Sequence, residues 1–249
     1  MYEYSYLYGI IAFVPIWLYC FIVRPDLRPA MLILSFLFGI GGVLSNFFVY
    51  GHDWWEPQFI TGTTIGVEDF LFGFFFSGSA AVFYEIVFNK TYKERDQAPR
   101  FPIRFRYIAL TVCSLFFGSA LIFNFHSFSA TVLTFGISTL YLLSQRKDLI
   151  PNSIFGALFA AFLAFLFFGI PELLTAGWVE STWSFQNLSG TFILHVPMED
   201  FVWFVMAGAF IAPLYKFWKN FRSVRFVVQE SAEEAYQASN KVVTEPERD

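Results

Sequence analysis

The chain has 249 residues, of which 56 % are hydrophobic and 14 % charged, with a formal net charge of −4. Soluble domains carry about 25 % charged residues; this composition, with its long unbroken apolar runs, excludes an ordinary soluble globule and indicates an integral, multi-pass membrane protein. The net charge says little about partners, because the signs are segregated along the chain, and no nucleic-acid partner is expected.

A membrane-crossing helix needs about 20 apolar residues. Seven segments qualify, at about Tyr6–Val23, Met31–Tyr50, Gly66–Phe88, Tyr107–Asn124, Phe128–Ser144, Ile154–Ile170 and Leu194–Phe217. The start, Met1-Tyr-Glu-Tyr-Ser, has no basic region before the first span, which therefore reads as a retained helix rather than a cleaved signal. Arg24 and Arg28 follow the first span, and Lys90, Lys93, Arg95, Arg100, Arg104 and Arg106 follow the third. Arg146 and Lys147 follow the fifth, and Lys216, Lys219, Arg222, Arg225, Lys241 and Arg248 close or follow the seventh. These are all 16 Lys and Arg residues, and a seven-span chain puts every one on the same side. The positive-inside rule then predicts an outer N-terminus and a cytoplasmic C-terminus. Asn89–Arg106 reads as a basic loop and the tail from Asn220 as solvated, with one candidate surface helix near Val227–Ala238.

One pattern occurs twice, each time just before and within a span. Trp55-Glu-Pro-Gln-Phe-Ile-Thr-Gly62 precedes Gly66-Val67-Glu68-Asp69-Phe70, and Trp183-Ser-Phe-Gln-Asn-Leu-Ser-Gly190 precedes Pro197-Met198-Glu199-Asp200-Phe201. The duplication predicts an all-α membrane protein of two parallel three-helix repeats. The expected organisation is 1–88 for the first repeat, 89–127 for the basic loop and connector span, 128–218 for the second repeat and 219–249 for the tail. Trp54, Trp55, Trp178 and Trp183 suit an interfacial belt.

Charge near hydrocarbon is expensive, so an ionisable pair at the start of two spans is a functional candidate. Adjacent helical residues point about 100° apart; one member of each pair faces the bundle interior, and the glutamates are the expected ones. A carboxyl group in apolar surroundings resists ionisation and serves as a general acid, and a second carboxylate can recover the proton. Phe70, Phe72, Phe201, Trp203 and Phe204 flank the pairs, and aromatic faces attract a developing cation. The combination describes a dry, acidic, aromatic chamber suited to protonating an alkene.

With these residues the chain resembles the membrane-integral, non-flavin lycopene cyclase domain family, which carries a Pro-x-Glu-Glu/Asp motif in each of two homologous halves. Pro197-Met198-Glu199-Asp200 matches the motif, and Gly66-Val67-Glu68-Asp69 matches it except for the proline. The resemblance covers about Tyr6 to Trp218 and is closest to the fused two-repeat form. It implies cyclisation of the ψ-ends of lycopene to β-rings in a prokaryotic cell membrane, with no cofactor and with possible association with other carotenoid enzymes. Glu68, Asp69, Glu199 and Asp200 would be catalytic, and Trp55, Phe72, Trp183, His195 and Trp203 would bind the substrate. A carotenoid hydratase shares the first protonation, and a proton-coupled transporter shares the intramembrane carboxylates. A retinal receptor would need a Schiff-base lysine, for which Lys216 lies too near the end of the last span.

The remaining signals point away from metals and cofactors. His52, His126 and His195 lack metal-site spacing, Cys20 and Cys113 sit in apolar runs, and Gly-rich phosphate-binding signatures are absent. Glu85, near the end of the third span, is expected to pair with a basic neighbour. Asn46 and Asn124 are candidates to line the site, and Gln58 and Gln186 to anchor the loops above it.

Overall fold

The computed structural model describes residues 2–54, 56–96, 105–183 and 188–226. Within them, seven helical segments are long and apolar enough to cross a membrane: Ser5–Val23, Pro25–His52, Val67–Val87, Phe105–Ile122, Ser127–Gln145, Lys147–Leu174 and Met198–Lys219. The first consists of α1 (Ser5–Ile11) and α2 (Val14–Val23), which meet where Pro15 enters the first turn of α2. Proline lacks the N–H that would continue the ladder from α1. The second is mostly α3 (Arg28–Phe48), and the third is α4 (Val67–Val87). The fourth, α5 (Phe105–Phe117), ends in a π turn over Gly118–Ile122. Then come α6 (Ser127–Gln145), α7 (Ile150–Leu174), a short α8 (Trp178–Thr182) and α9 (Met198–Lys219).

Helices α4 and α9 form the centre. Helix α4 packs along α3, α9 packs along α7, and the two central helices contact one another. Small residues permit these approaches, as they commonly do between membrane helices. A side chain at Gly73 of α4 would collide with the Phe38 carbonyl of α3, and one at Gly208 of α9 with the Gly156 carbonyl of α7.

The outline differs from expectation at two spans. Helix α7 starts at Ile150, before the apolar run, because Pro151 suits a first-turn position whose N–H would lack a partner in any case. Helix α9 starts at Met198 rather than Leu194, because β2 (Phe192–Ile193) and β3 (Val196–Pro197) form a small antiparallel ribbon ahead of it.

A second ribbon corrects the expectation of an unstructured basic loop and tail, and adds a short strand pair to a fold that is otherwise mainly helical, as expected. Strand β1 (Lys90–Glu94) pairs antiparallel with β4 (Phe221–Arg225), Lys90 opposite Arg225 and Glu94 opposite Phe221. Backbone bonds extend it symmetrically: Arg95 N–H donates to the Asn220 carbonyl at 3.1 Å, and Phe226 N–H to the Asn89 carbonyl at 2.9 Å. Asn89 (φ 46°) and Asn220 (φ 54°) are both left-handed just beyond the ends of α4 and α9, a conformation asparagine tolerates better than most residues. Each strand is short and charged, so neither shows a strand pattern alone; pairing across the chain creates them.

Two arginines tie the helix turns to this ribbon in the same way. Arg24 makes a bidentate bond to Asp26, at 2.9 and 2.8 Å, and also donates to the Glu85 and Lys90 carbonyls. Arg146 makes the same fork to Asp148, at 2.8 and 2.7 Å, and donates to the Phe221 carbonyl and the Asn220 side chain. Both belong to an Arg-x-Asp-Leu-x-Pro sequence, at 24–29 and 146–151. Planar guanidinium forks of this kind add geometric specificity as well as energy. Nearby, the Tyr92 hydroxyl donates to the Ala81 carbonyl at 3.2 Å; burial first, and the Glu85 charge second, push this phenol well above its ordinary range, so it stays a donor. The expected surface helix at Val227–Ala238 lies outside the described residues.

Candidate active site

The site lies at the end of the bundle opposite the arginines, where α4 and α9 begin. Glu68 and Asp69 occupy the first turn of α4, and Glu199 and Asp200 the first turn of α9. Acidic side chains there complement the helix dipole. Glu68, Asp69 and Glu199 are buried, and Asp200 is half-buried as a residue.

The two members of each pair divide their work. Glu68 Oε1 accepts the Ile60 backbone N–H at 2.8 Å, and Glu199 Oε1 accepts the Ser189 N–H at 2.7 Å. Each glutamate therefore fastens the preceding loop over its own helix start. Gly62 and Gly190 recur in those loops because the chain turns there with φ at +65° in both copies, a conformation in which glycine alone carries no steric cost. The Phe59 ring and Glu68 crowd Gly66 so closely that any Cβ would strike both, proline's included. This explains why the first copy has glycine where the second has Pro197.

The aspartates point elsewhere. Asp69 and Asp200 both line one cavity of about 260 Å³. This reverses the expectation that the glutamates face the interior: at about 100° per residue, a glutamate turned up toward its loop leaves its neighbour turned into the bundle. Both aspartates share this chamber.

Asp69 is held on both oxygens. The Tyr6 hydroxyl donates to Oδ1 at 3.2 Å and the Asn46 amide to Oδ2 at 2.8 Å. Asp200 has a different setting: its Oδ2 is buried and accepts no hydrogen bond from the described residues, while the Trp54 and Trp183 indoles lie beside the carboxyl. The walls between the acids are aromatic. Phe72 stacks on Phe76 at 5.8 Å and meets Trp203 and Phe204, each at 5.8 Å, and Phe167 at 5.0 Å. All five rings line the cavity.

Trp203 is fixed by a directional chain. Its indole N–H donates to the Tyr50 hydroxyl at 3.0 Å, Tyr50 bonds to Thr131 at 2.6 Å, and Thr131 donates to the Ser127 carbonyl at 2.9 Å. An indole only donates and a carbonyl only accepts, so each hydroxyl between them must accept from one side and donate to the other.

The other expected site residues fall into three groups. Phe72 and Trp203 are on the cavity wall. Trp183 is buried against Phe168 and Trp178, with ring centres 5.0 and 5.2 Å away, and contributes no wall. His195 is exposed in the turn between β2 and β3, away from the cavity, because that turn projects from the end of the bundle. Trp55 and Gln186 lie outside the described residues, and Gln58 is exposed, leaving loop anchoring to the glutamates. The belt expected of Trp54, Trp178 and Trp183 is instead a buried cluster; their large apolar surfaces cover the acids. His126 packs beside Asp53, which also accepts the Ser127 N–H at 2.8 Å. Tyr6, Tyr50, Trp54 and Phe167 complete the site without a sequence signal, since each is a single aromatic among many.

Residues 126–218 match the family model described as lycopene cyclase. The matched segment contains Glu199, Asp200 and Trp203. No curated protein and no solved structure matches the chain.

Proposed function

We propose that this chain, whose residues 126–218 carry a lycopene cyclase domain, is a membrane-embedded cyclase of acyclic carotenoid ends, working by proton transfer at Asp69 and Asp200. The observation that carries the reading is the convergence of both aspartates on one aromatic-walled cavity. Seven apolar spans place that cavity among helices suited to a hydrocarbon substrate that dissolves in the bilayer.

The chemistry is an isomerisation. An acid adds a proton to the terminal double bond of the lycopene ψ-end, leaving a tertiary cation. The next alkene attacks that carbon, closes the six-membered ring and moves the charge into it. A base then removes a ring proton and leaves the ring double bond of a β-end. One proton enters and one leaves, so no redox partner is required. We assign the acid to Asp200, whose carboxyl lies beside the Trp54 and Trp183 indoles and whose Oδ2 has no close donor among the described residues, and the base to Asp69, whose two oxygens both accept from neutral donors. Donors on both oxygens favour the acceptor-only, ionised carboxylate. The rings of Phe72, Phe76 and Trp203 face the path of the cation, and the mostly apolar, aromatic wall limits the water that could capture it.

The same reading makes the chain two repeats in parallel, 1–88 and 128–218, with the acids toward the outer face and the arginine-tied ribbon in the cytoplasm. It is supported by the matched Arg-x-Asp-Leu-x-Pro turns, the matched left-handed asparagines and the self-complementary β1–β4 pairing.

The test is expression in lycopene-accumulating cells with chromatography of the pigments. Wild type should yield β-ring products, and Asp69→Asn and Asp200→Asn should each lower ring formation by about 10²–10⁴-fold, the range for a lost general acid or base. Unchanged ring formation in the double variant removes both aspartates from the mechanism; unconsumed lycopene with the wild type removes the function.

A further inference from the structure

The cavity is not closed around the acids. From Asp69 and Asp200 it extends to Gly41 and Leu44 on α3 and to Cys113 and Phe117 on α5. Leu44 is 44 % exposed and Cys113 is exposed, so the inner end is buried while the outer end reaches the flank of the bundle. None of these four residues carries a charge, and all sit on spans rather than in the connecting loops. The mouth therefore opens sideways, on the surface that hydrocarbon covers. Gly41 makes the opening: a side chain built there would meet nothing within 4 Å. Just beyond the mouth, α5 widens into its π turn at Gly118–Ile122; such turns are rare and often mark functional sites.

Size indicates what occupies the mouth. A cavity of about 260 Å³ holds one end of a forty-carbon chain, whereas the whole extended molecule is about as long as the ~30 Å hydrocarbon core. The remainder has to leave the bundle, and this gap is the route that the cavity supplies.

We propose that the gap between α3 and α5, bordered by Gly41, Leu44, Cys113 and Phe117, is the binding subsite for the polyene chain, holding it across the lipid boundary while one end reacts. The inference rests on the cyclase reading above and adds the route and the residues that grip the unreacted part of the substrate. Specificity then has two components: the aromatic chamber selects the end, and the gap selects a long, thin, apolar chain.

The experiment compares three tryptophan variants in membranes, with lycopene as the probe. Gly41→Trp and Cys113→Trp fill the mouth from its two sides. Gly169→Trp is the control, since Gly169 is also a helical glycine with open space at Cβ but lies on α7 away from the cavity wall. Lycopene turnover should fall about tenfold or more in both mouth variants and stay near wild type in the control. Wild-type turnover in either mouth variant overturns the subsite, and so does an equal loss in the control. A second measurement needs no variant. Cys20 is buried, so N-ethylmaleimide should modify the detergent-solubilised wild type at Cys113, and lycopene should slow that modification. An unaltered rate overturns the subsite even if the tryptophan variants fail to fold. A wild type that forms no rings defeats the cyclase reading instead, so the two failures are distinguishable.

Discussion

Lys216 Nζ lies 2.6 Å from Glu85 Oε1, and neither side chain exposes any surface. The pair joins α9 to α4 at the arginine end of the bundle, where Asn152 and Ser223 also donate to the same Glu85 oxygen, at 3.0 and 2.6 Å. It spans the two central helices at the end opposite the aspartates and clamps α4 to α9, whose first turns carry the acids of the cavity.

Removing one partner of a buried pair strands the other charge, which typically costs about 3–5 kcal/mol. Lys216→Met should therefore lower the thermal midpoint of the detergent-solubilised protein sharply. The double variant Lys216→Met with Glu85→Gln should recover part of the loss, because no charge is left unpaired. A single variant as stable as wild type would show that the pair contributes little.

Gly66 offers a test of the first acidic turn. Any Cβ there strikes the Phe59 ring and Glu68, so Gly66→Ala should cost about 1–3 kcal/mol, the usual range for overpacking. Displacing Glu68 should also loosen the loop that bonds to it through Ile60. Limited proteolysis between α3 and α4 reads this directly; cleavage at the wild-type rate would contradict it.

Tyr50 is a positioning residue. Tyr50→Phe removes the acceptor for the Trp203 N–H and the donor to Thr131. A buried donor left without a partner costs about 1–3 kcal/mol, and the Trp203 ring is no longer held to one orientation. The expected result is a smaller fall in turnover than for either aspartate variant, together with a changed ratio of β-rings to uncyclised or hydrated ends. A merely structural role would lower the amount of protein and leave the product ratio unchanged.

Both aspartates line one cavity, and in the proposed reaction that cavity takes one end of the substrate at a time. The two ends of lycopene are then processed in turn, with release or reversal between steps. A time course should show a monocyclic product rising before any bicyclic one. Bicyclic product appearing from the first time point, with no monocyclic species, would contradict a single shared chamber.

Much of the architecture was legible in the sequence because hydrophobic run length acts locally and needs no partner. The seven spans follow from that signal, and the paired Glu-Asp turns from a motif that occurs twice. A further repeat signal was legible as well, the Arg-x-Asp-Leu-x-Pro turns at 24–29 and 146–151, but its meaning shows only in the matching guanidinium forks. The ribbon of Lys90–Glu94 with Phe221–Arg225 was not legible, since it exists only through pairing across the chain.

The sequence by itself determined that acids stand at the start of two apolar helices, because charge, burial and chain order are written residue by residue. Only the tertiary structure decided which acid faces the cavity. Glu68 and Asp69, and likewise Glu199 and Asp200, are neighbours of nearly equal chemistry, and the direction each faces is set by the loop amides that capture the glutamates and by the rotation of α4 and α9 against their partners. That rotation is fixed by contacts between distant segments, and no local pattern encodes it.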